Sequence, residues 1–168
     1  VHPERQTEPH IHCILTDPSN YFVYAVDLGA DQIVSYTFNS NTGEINKIHD
    51  GVTNLPPGAG PRHLYFHPKY PWVYLITELS NRIHCYKIAE GSKLIETHQL
   101  STIPENKNSE SFSADIAIDP LGLFLYTSNR GHDCISIFCI SQIDGTLEYL
   151  TTVSAEGKYP WSLDINST

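Results

Sequence analysis

The stretch Thr16–Phe38 reads TDPSNYFVYAVDLGADQIVSYTF. Two later stretches lie over it without a gap: FHPKYPWVYLITELSNRIHCYKI from Phe66 to Ile88 and IDPLGLFLYTSNRGHDCISIFCI from Ile118 to Ile140. A fixed period makes the chain an array of one structural unit. With Asp17, His67 and Asp119 as origins, the units step by 50 and then 52 residues. Other positions keep step. Pro18, Pro68 and Pro120 follow the origins, and Tyr24, Tyr74 and Tyr126 lie seven residues on. Ile33, Ile83 and Ile135 lie sixteen on, and Tyr36, Tyr86 and Phe138 nineteen on. PWSLDINST, from Pro160, parallels PRHLYFHPK, from Pro61, and opens a further unit near Asn166.

Within a unit, short apolar runs rich in Tyr, Phe, Ile and Val are separated by turn residues, with no helical stripe of useful length. That is the grammar of strands. The first strand ends at the Asp-Pro or His-Pro turn, and the second runs through FVYAV, WVYLI or LFLYT. The third carries QIVSYTF, RIHCYKI or CISIFCI, and the fourth reads EINKI, KLIET or TLEYL. Four antiparallel strands every ~45 to 50 residues are the unit of a β-propeller blade. The expected fold is therefore all-β, a single partial β-propeller domain of about three to four blades. Its units are expected at approximately residues 10–57, 58–108 and 109–157, with the start of another at 158–168.

Propellers usually close with about four to eight blades, and a part of a ring cannot bury its outer faces alone. The 168 residues contain no Met. The chain is thus expected to be a piece of a longer protein, with the remaining blades or another chain covering its open edges. A self-assembling half-ring is the alternative.

No apolar run approaches the ~20 residues that a membrane-crossing helix needs, and the net charge of −9 opposes a nucleic-acid or anionic-membrane surface. Cys13, Cys85, Cys134 and Cys139 fall at different offsets and form no CxxC pair. They read as buried, reduced thiols, which suits a cytoplasmic protein.

The chemistry lies where the units disagree. Five residues before the origins stand His12, Arg62, Ala114 and Trp161, and eleven after stand Leu28, Glu78 and Arg130. Both offsets fall at the open end of the hairpin formed by the first two strands, and the first strand of a blade lines the central channel. His12, Arg62, Glu78 and Arg130 are therefore expected at one channel mouth, where charged groups must pair or bind something. For Glu78 the competing reading is a salt bridge to Arg62 or Arg130. His10 and His12, two apart on a strand, face the same side as a metal-binding pair can, but no Cys or carboxylate at fixed spacing completes a site. No metal or cofactor is therefore expected.

The segments PHIHC (Pro9–Cys13), DLGAD (Asp27–Asp31), PGAGPRHLYFHP (Pro57–Pro68), TEL (Thr77–Leu79) and SNRGHD (Ser128–Asp133) closely resemble the seven-bladed propeller lactonases. That group includes bacterial 6-phosphogluconolactonase and fungal carboxy-cis,cis-muconate cyclase. The resemblance covers nearly the whole chain, with its motifs in order and at matching spacing. It implies a channel pocket lined by a histidine, arginines and a glutamate, with no cofactor, and a small, anionic lactone as substrate. Carried over by position, these are His12 or its neighbour His10, with Arg62, Glu78 and Arg130 as catalytic residues. Arg5, His10, His63 and His132 are the expected substrate-binding positions, although a structural hydrogen bond is the plainer role for His63 and His132. One departure stands out: Tyr159, Pro160 and Trp161 occupy a place where the family shows Pro followed by Arg.

Attack of water on a lactone carbonyl places negative charge on its oxygen, which a preorganised cation stabilises. Arg62 and Arg130 suit that task, and their planar forks also grip a phosphate or carboxylate. A base must take a proton from water and an acid must supply one to the departing ring oxygen. Glu78 is the expected base and His12 the expected acid, with the exchange of roles open. Glu78→Gln is then expected to leave the fold intact and remove most activity. Two alternatives remain: the lactone-forming muconate cyclase reaction, which uses the same atoms, and a non-catalytic propeller that serves as a binding platform.

Overall fold

The computed structural model describes residues 2–103 and 110–166. Three four-stranded antiparallel sheets follow one another along the chain. The first contains β1 (Ile11–Thr16), β2 (Phe22–Asp27), β3 (Gln32–Asn39) and β4 (Glu44–Asn54). The second contains β5 (Pro61–Phe66), β6 (Trp72–Thr77), β7 (Arg82–Ile88) and β8 (Leu94–Ser101). The third contains β9 (Phe112–Ile118), β10 (Phe124–Arg130), β11 (Cys134–Ile140) and β12 (Leu147–Ser154). Each sheet keeps its strands in sequence order, and the sheets close into no barrel. β1 packs beside β5 and β5 beside β9, so the first strands form the inner rank of a partial propeller ring. The fourth strands lie at the rim, largely exposed.

Two apolar layers hold the blades together. β6 is buried along its whole length, and its period of two sends successive side chains to opposite faces. Val73 and Leu75 join Tyr24, Val26, Ile33 and Leu64 between the first and second blades. Tyr74 and Ile76 join Ile116, Leu125 and Phe138 between the second and third. Full burial of each such side chain is worth ~1.5–3 kcal/mol. The periodic tyrosine adds a polar stitch: Tyr24 donates its hydroxyl to the Ser92 carbonyl at 3.2 Å and Tyr74 to the Gly145 carbonyl at 2.9 Å, each across to the next blade.

The origin residue closes the first hairpin. Asp17 Oδ1 accepts from the Tyr21 and Phe22 amides, and Asp119 Oδ1 from those of Leu123 and Phe124. His67 substitutes its ring, accepting through Nδ1 from the Lys69 and Tyr70 amides while Nε2 lies 3.0 Å from the Gly122 carbonyl of the third blade.

A second device recurs fourteen residues after each origin. Asp31, Asn81 and Asp133 have φ of 52°, 52° and 51°, a left-handed region that Asn and Asp tolerate better than most side chains. Each reaches the segment leading into the next blade. Asp31 accepts from the Gly58 and Gly60 amides, both at 2.7 Å. Asn81 bonds the Ser113 amide and the Ser111 carbonyl, and Asp133 accepts from the Tyr159 amide at 2.8 Å. The leading strands, which carry the channel residues, are thereby pinned to the blade before.

None of the four cysteines is in a disulfide, and burial pushes the Cys85 thiol up to about 12. No helix among the described residues is long and apolar enough to cross a membrane.

Candidate active site

The inner strands share an irregularity. Pairing of β1 with β2 slips between Ile11 and Cys13, and pairing of β5 with β6 slips between Pro61 and His63. Pairing of β9 with β10 slips where Ser113 and Ile116 oppose Asn129 and Thr127. The extra residue is His12 in β1 and Arg62 in β5, and in β9 it falls within Ala114–Asp115. Such a bulge breaks the alternation of faces and re-aims side chains. It explains how the consecutive residues Arg62 and His63 both serve one site.

Glu78, in the turn after β6, is the hub. Its side chain is 1% exposed, and Oε2 lies 3.0 Å from Arg62 Nε and 2.8 Å from Arg130 Nη2. Arg5 Nη2 lies 2.7 Å from Oε1, an ion pair too oblique for a hydrogen bond. Three guanidiniums from the N-terminal turn, β5 and β10 thus converge on one carboxylate. Gly60 makes the approach possible: at φ 63° a Cβ there would stand 2.5 Å from Leu79 Cγ, and the Gly60 carbonyl accepts from the Glu78 amide at 2.7 Å.

The arginines are held elsewhere too. Arg62 Nη1 donates to the Ala114 carbonyl, and Arg130 donates to the Phe112 and Ser113 carbonyls at 3.2 and 3.3 Å. Burial, then Arg130, pull the Arg62 pKa down from its ordinary value, and Glu78 opposes them. Trp161 covers the group, its ring 4.2 Å from Arg130 Cζ and 5.8 Å from Arg62 Cζ, while remaining 58% exposed. The residue at the place of a further arginine therefore stacks on two others.

His12 stands edge-on to His63, with ring centroids 5.1 Å apart. Burial, and next the charge of Arg62, lower its pKa from 6.5 to about 4, so the ring is neutral near pH 7. Its Nδ1 is buried with no hydrogen-bond partner among the described residues. His63 Nδ1 lies 2.6 Å from Asp115 Oδ1, and His63 Nε2 lies 3.2 Å from Arg62 Nη1.

A cleft of about 280 Å³ opens beside Arg5, His10, His12 and Leu28. A second, of about 210 Å³, lies across Arg5 between Phe112 and Arg130. His10 is exposed on the rim of the first. His132, in the turn between β10 and β11, lines neither cleft. The structure thus gathers Arg5, Arg62, Glu78 and Arg130 in direct contact and sets His12 and His63 against them.

The family model described as Lactonase, 7-bladed beta-propeller, matches residues 1–168. The chain belongs to the seven-bladed β-propeller lactonase family. This lactonase-family chain is 37% identical to the 6-phosphogluconolactonase of Bacillus subtilis over 158 residues, which is 94% of this chain and 44% of that protein. It is 34% identical to an uncharacterized protein of Staphylococcus saprophyticus, covering 98% of this chain and 46% of that one. A solved structure from Lactobacillus plantarum superposes with a TM-score of 0.90 at 32% identity, covering 98% of this chain and 47% of that one. The periplasmic gluconolactonase of Pseudomonas aeruginosa superposes with a TM-score of 0.89 at 28% identity, covering 95% and 45%. The chain spans a little under half the length of these relatives.

Three residues of this lactonase-family site escaped sequence reasoning. Gln6 clamps the N-terminal turn, donating to the Leu28 carbonyl at 2.9 Å and to Asp31 at 2.8 Å, and so presents Arg5. Asp115 Oδ2 accepts from Ser162 Oγ at 2.8 Å and from the Leu163 amide at 3.0 Å. Cys13, His63, Asp115 and Ser162 all lie four residues before an origin. That shared offset was the available signal.

Proposed function

We propose that the protein to which this chain belongs hydrolyses an anionic sugar lactone, of the class of 6-phosphoglucono-δ-lactone, to its acid. The observation that carries this reading is the convergence of Arg5, Arg62 and Arg130 on the buried Glu78. With the ionised Asp115 counted beside Glu78, three cations against two carboxylates still leave one positive charge at the mouth of a channel in a chain of net charge −9. A local cation excess of that kind recruits an anion and stabilises an oxyanion. The geometry favours a histidine as the base and gives Glu78 an ordering role in place of a proton-transfer one. Glu78 is engaged by guanidiniums on both oxygens and orders them, while an imidazole of the His12–His63 pair takes the proton from water. Trp161, exposed over Arg130, offers an apolar face to a sugar ring.

A cytoplasmic setting fits four cysteines that form no disulfide, and the remaining blades are proposed to complete the channel wall. The test is hydrolysis by the full-length protein, followed by base uptake in a pH-stat. Turnover of 6-phosphoglucono-δ-lactone above the spontaneous rate is expected. Turnover of a carboxymuconolactone instead would assign the lactonising branch, and turnover of neither would favour a binding platform.

A further inference from the structure

We propose that His63 is the proton acceptor of this site, held in its Nδ1–H tautomer by Asp115, which Ser162 and the Leu163 amide fix from the segment that follows the third blade. The assignment rests on the lactonase reading.

Asp115 is buried and receives two hydrogen bonds on Oδ2 from that segment, while Oδ1 accepts from the Ile116 amide at 3.0 Å and meets His63 Nδ1 at 2.6 Å. Burial alone would raise its pKa, yet the bonds from His63, Leu163 and Ser162 outweigh it and bring the carboxyl down to about 2. An ionised carboxylate only accepts, so His63 Nδ1 must donate and the neutral ring keeps its lone pair on Nε2. That lone pair accepts from Arg62 Nη1 at 3.2 Å, a contact that the attacking water must replace. Proton acceptor and oxyanion donor are therefore adjacent, as acyl transfer requires. His12 sits edge-on to the same ring, but its Nδ1 meets no carboxylate among the described residues.

The charged and titratable groups facing this pair are His12 from β1, Arg62 from β5 and Asp115 from β9, and the Cys13 thiol lies within the field of Asp115.

In the reaction, Nε2 takes a proton from water as the water oxygen bonds to the carbonyl carbon and the π pair moves to the carbonyl oxygen. On collapse the carbonyl re-forms, the ring C–O bond breaks and Nε2 returns the proton to the ring oxygen. Lactone and water give one hydroxy acid, and His63 is regenerated. Asp115 is a positioning residue, because it acts through His63.

The test uses the full-length protein with 6-phosphoglucono-δ-lactone, after subtraction of the uncatalysed rate. Asp115→Asn presents an amide that can donate to Nδ1 and force the proton onto Nε2. Expected is a fall in kcat of roughly 10²- to 10⁴-fold with KM unchanged. His63→Gln should fall similarly, and the double variant should be no worse than His63→Gln. Nitrogen-15 NMR of the unaltered protein should show the His63 proton on Nδ1, a readout independent of turnover and of whether Asp115→Asn folds. An unchanged kcat in Asp115→Asn, losses that multiply in the double variant, or the Nε2–H tautomer in the unaltered protein would each overturn the assignment of His63. An unaltered protein that hydrolyses no lactone overturns the lactonase reading and this assignment with it.

Discussion

Replacing Glu78 by Gln removes the single carboxylate on which three guanidiniums converge. The Arg62 and Arg130 side chains are 6% and 4% exposed, and both lie within 3.0 Å of Oε2. Breaking a buried ion pair costs ~3–5 kcal/mol, because a charge is left without its partner. The amide keeps one acceptor for Arg62 Nε, and the backbone carbonyls of Phe112, Ser113 and Ala114 still hold the two guanidiniums, so the lower end applies. Arg5, 44% exposed, adds no more than ~1 kcal/mol. The expected loss is about 3 kcal/mol, read as a lowered urea midpoint for the full-length protein at low salt. Inorganic phosphate should enter the vacated charge site of the variant. At 100 times its dissociation constant it would restore ~2.7 kcal/mol, against a much smaller gain for the unaltered protein. A loss under 1 kcal/mol, or equal phosphate effects on both proteins, would refute the claim that Glu78 orders the arginines. This outcome also separates the structure from the sequence expectation of an intact, merely inactive variant.

Tyr74→Phe deletes the hydroxyl that bonds the Gly145 carbonyl at 2.9 Å; a loss of ~1–2 kcal/mol is expected by denaturation, and a neutral result would deny the stitch between blades. His12, its pKa drawn down from 6.5 to about 4, leaves the unfolded chain binding a proton in that window that the folded chain refuses. The stability it contributes above pH 6.5 is therefore lost as pH falls towards about 4. His12→Gln should flatten that part of the stability curve, measured as the difference between the two proteins because the lowered pKa of His67 acts in the same direction. An identical slope would contradict it. Trp161→Ala removes a ring stacked 4.2 Å from Arg130 Cζ; at an exposed site this is worth ~0.5–1 kcal/mol, and binding of 6-phosphogluconate by calorimetry should weaken about two- to fivefold. Unchanged affinity would leave Trp161 outside the site.

The period carried most of the fold. Tyr24 and Tyr74 recur because each reaches the next blade, and Asp17 and Asp119 because each closes a hairpin. Arg62, Glu78 and Arg130 were legible for the opposite reason, as costly residues at offsets where the units disagree. Asp115 and Ser162 were not, since simple alternation puts consecutive residues on opposite faces and so sets His63 and Asp115 apart from Arg62. The bulge at Arg62 and the one within Ala114–Asp115 reverse that expectation, and a bulge has no fixed signature in one sequence. Glu78 illustrates a different limit. Its residue type and place read as a base with a salt bridge to Arg62 or Arg130 as the competing reading; the structure shows both pairs at once and adds Arg5 from a distant segment. The resemblance supplied Arg5, whereas Gln6, which holds its turn, forms bonds that span 22 and 25 residues.

The central claim is that an arginine cluster ordered by Glu78 selects an anionic lactone. Its most direct test is kcat/KM of the full-length protein for 6-phosphoglucono-δ-lactone against unphosphorylated glucono-δ-lactone, in the unaltered protein and in Arg130→Gln. A phosphate held by one charge-assisted hydrogen bond from Arg130, worth ~1.5–3 kcal/mol, predicts a preference of roughly 10- to 100-fold that collapses in the variant. Equal turnover of the two lactones, or a preference that survives the loss of Arg130, would contradict it.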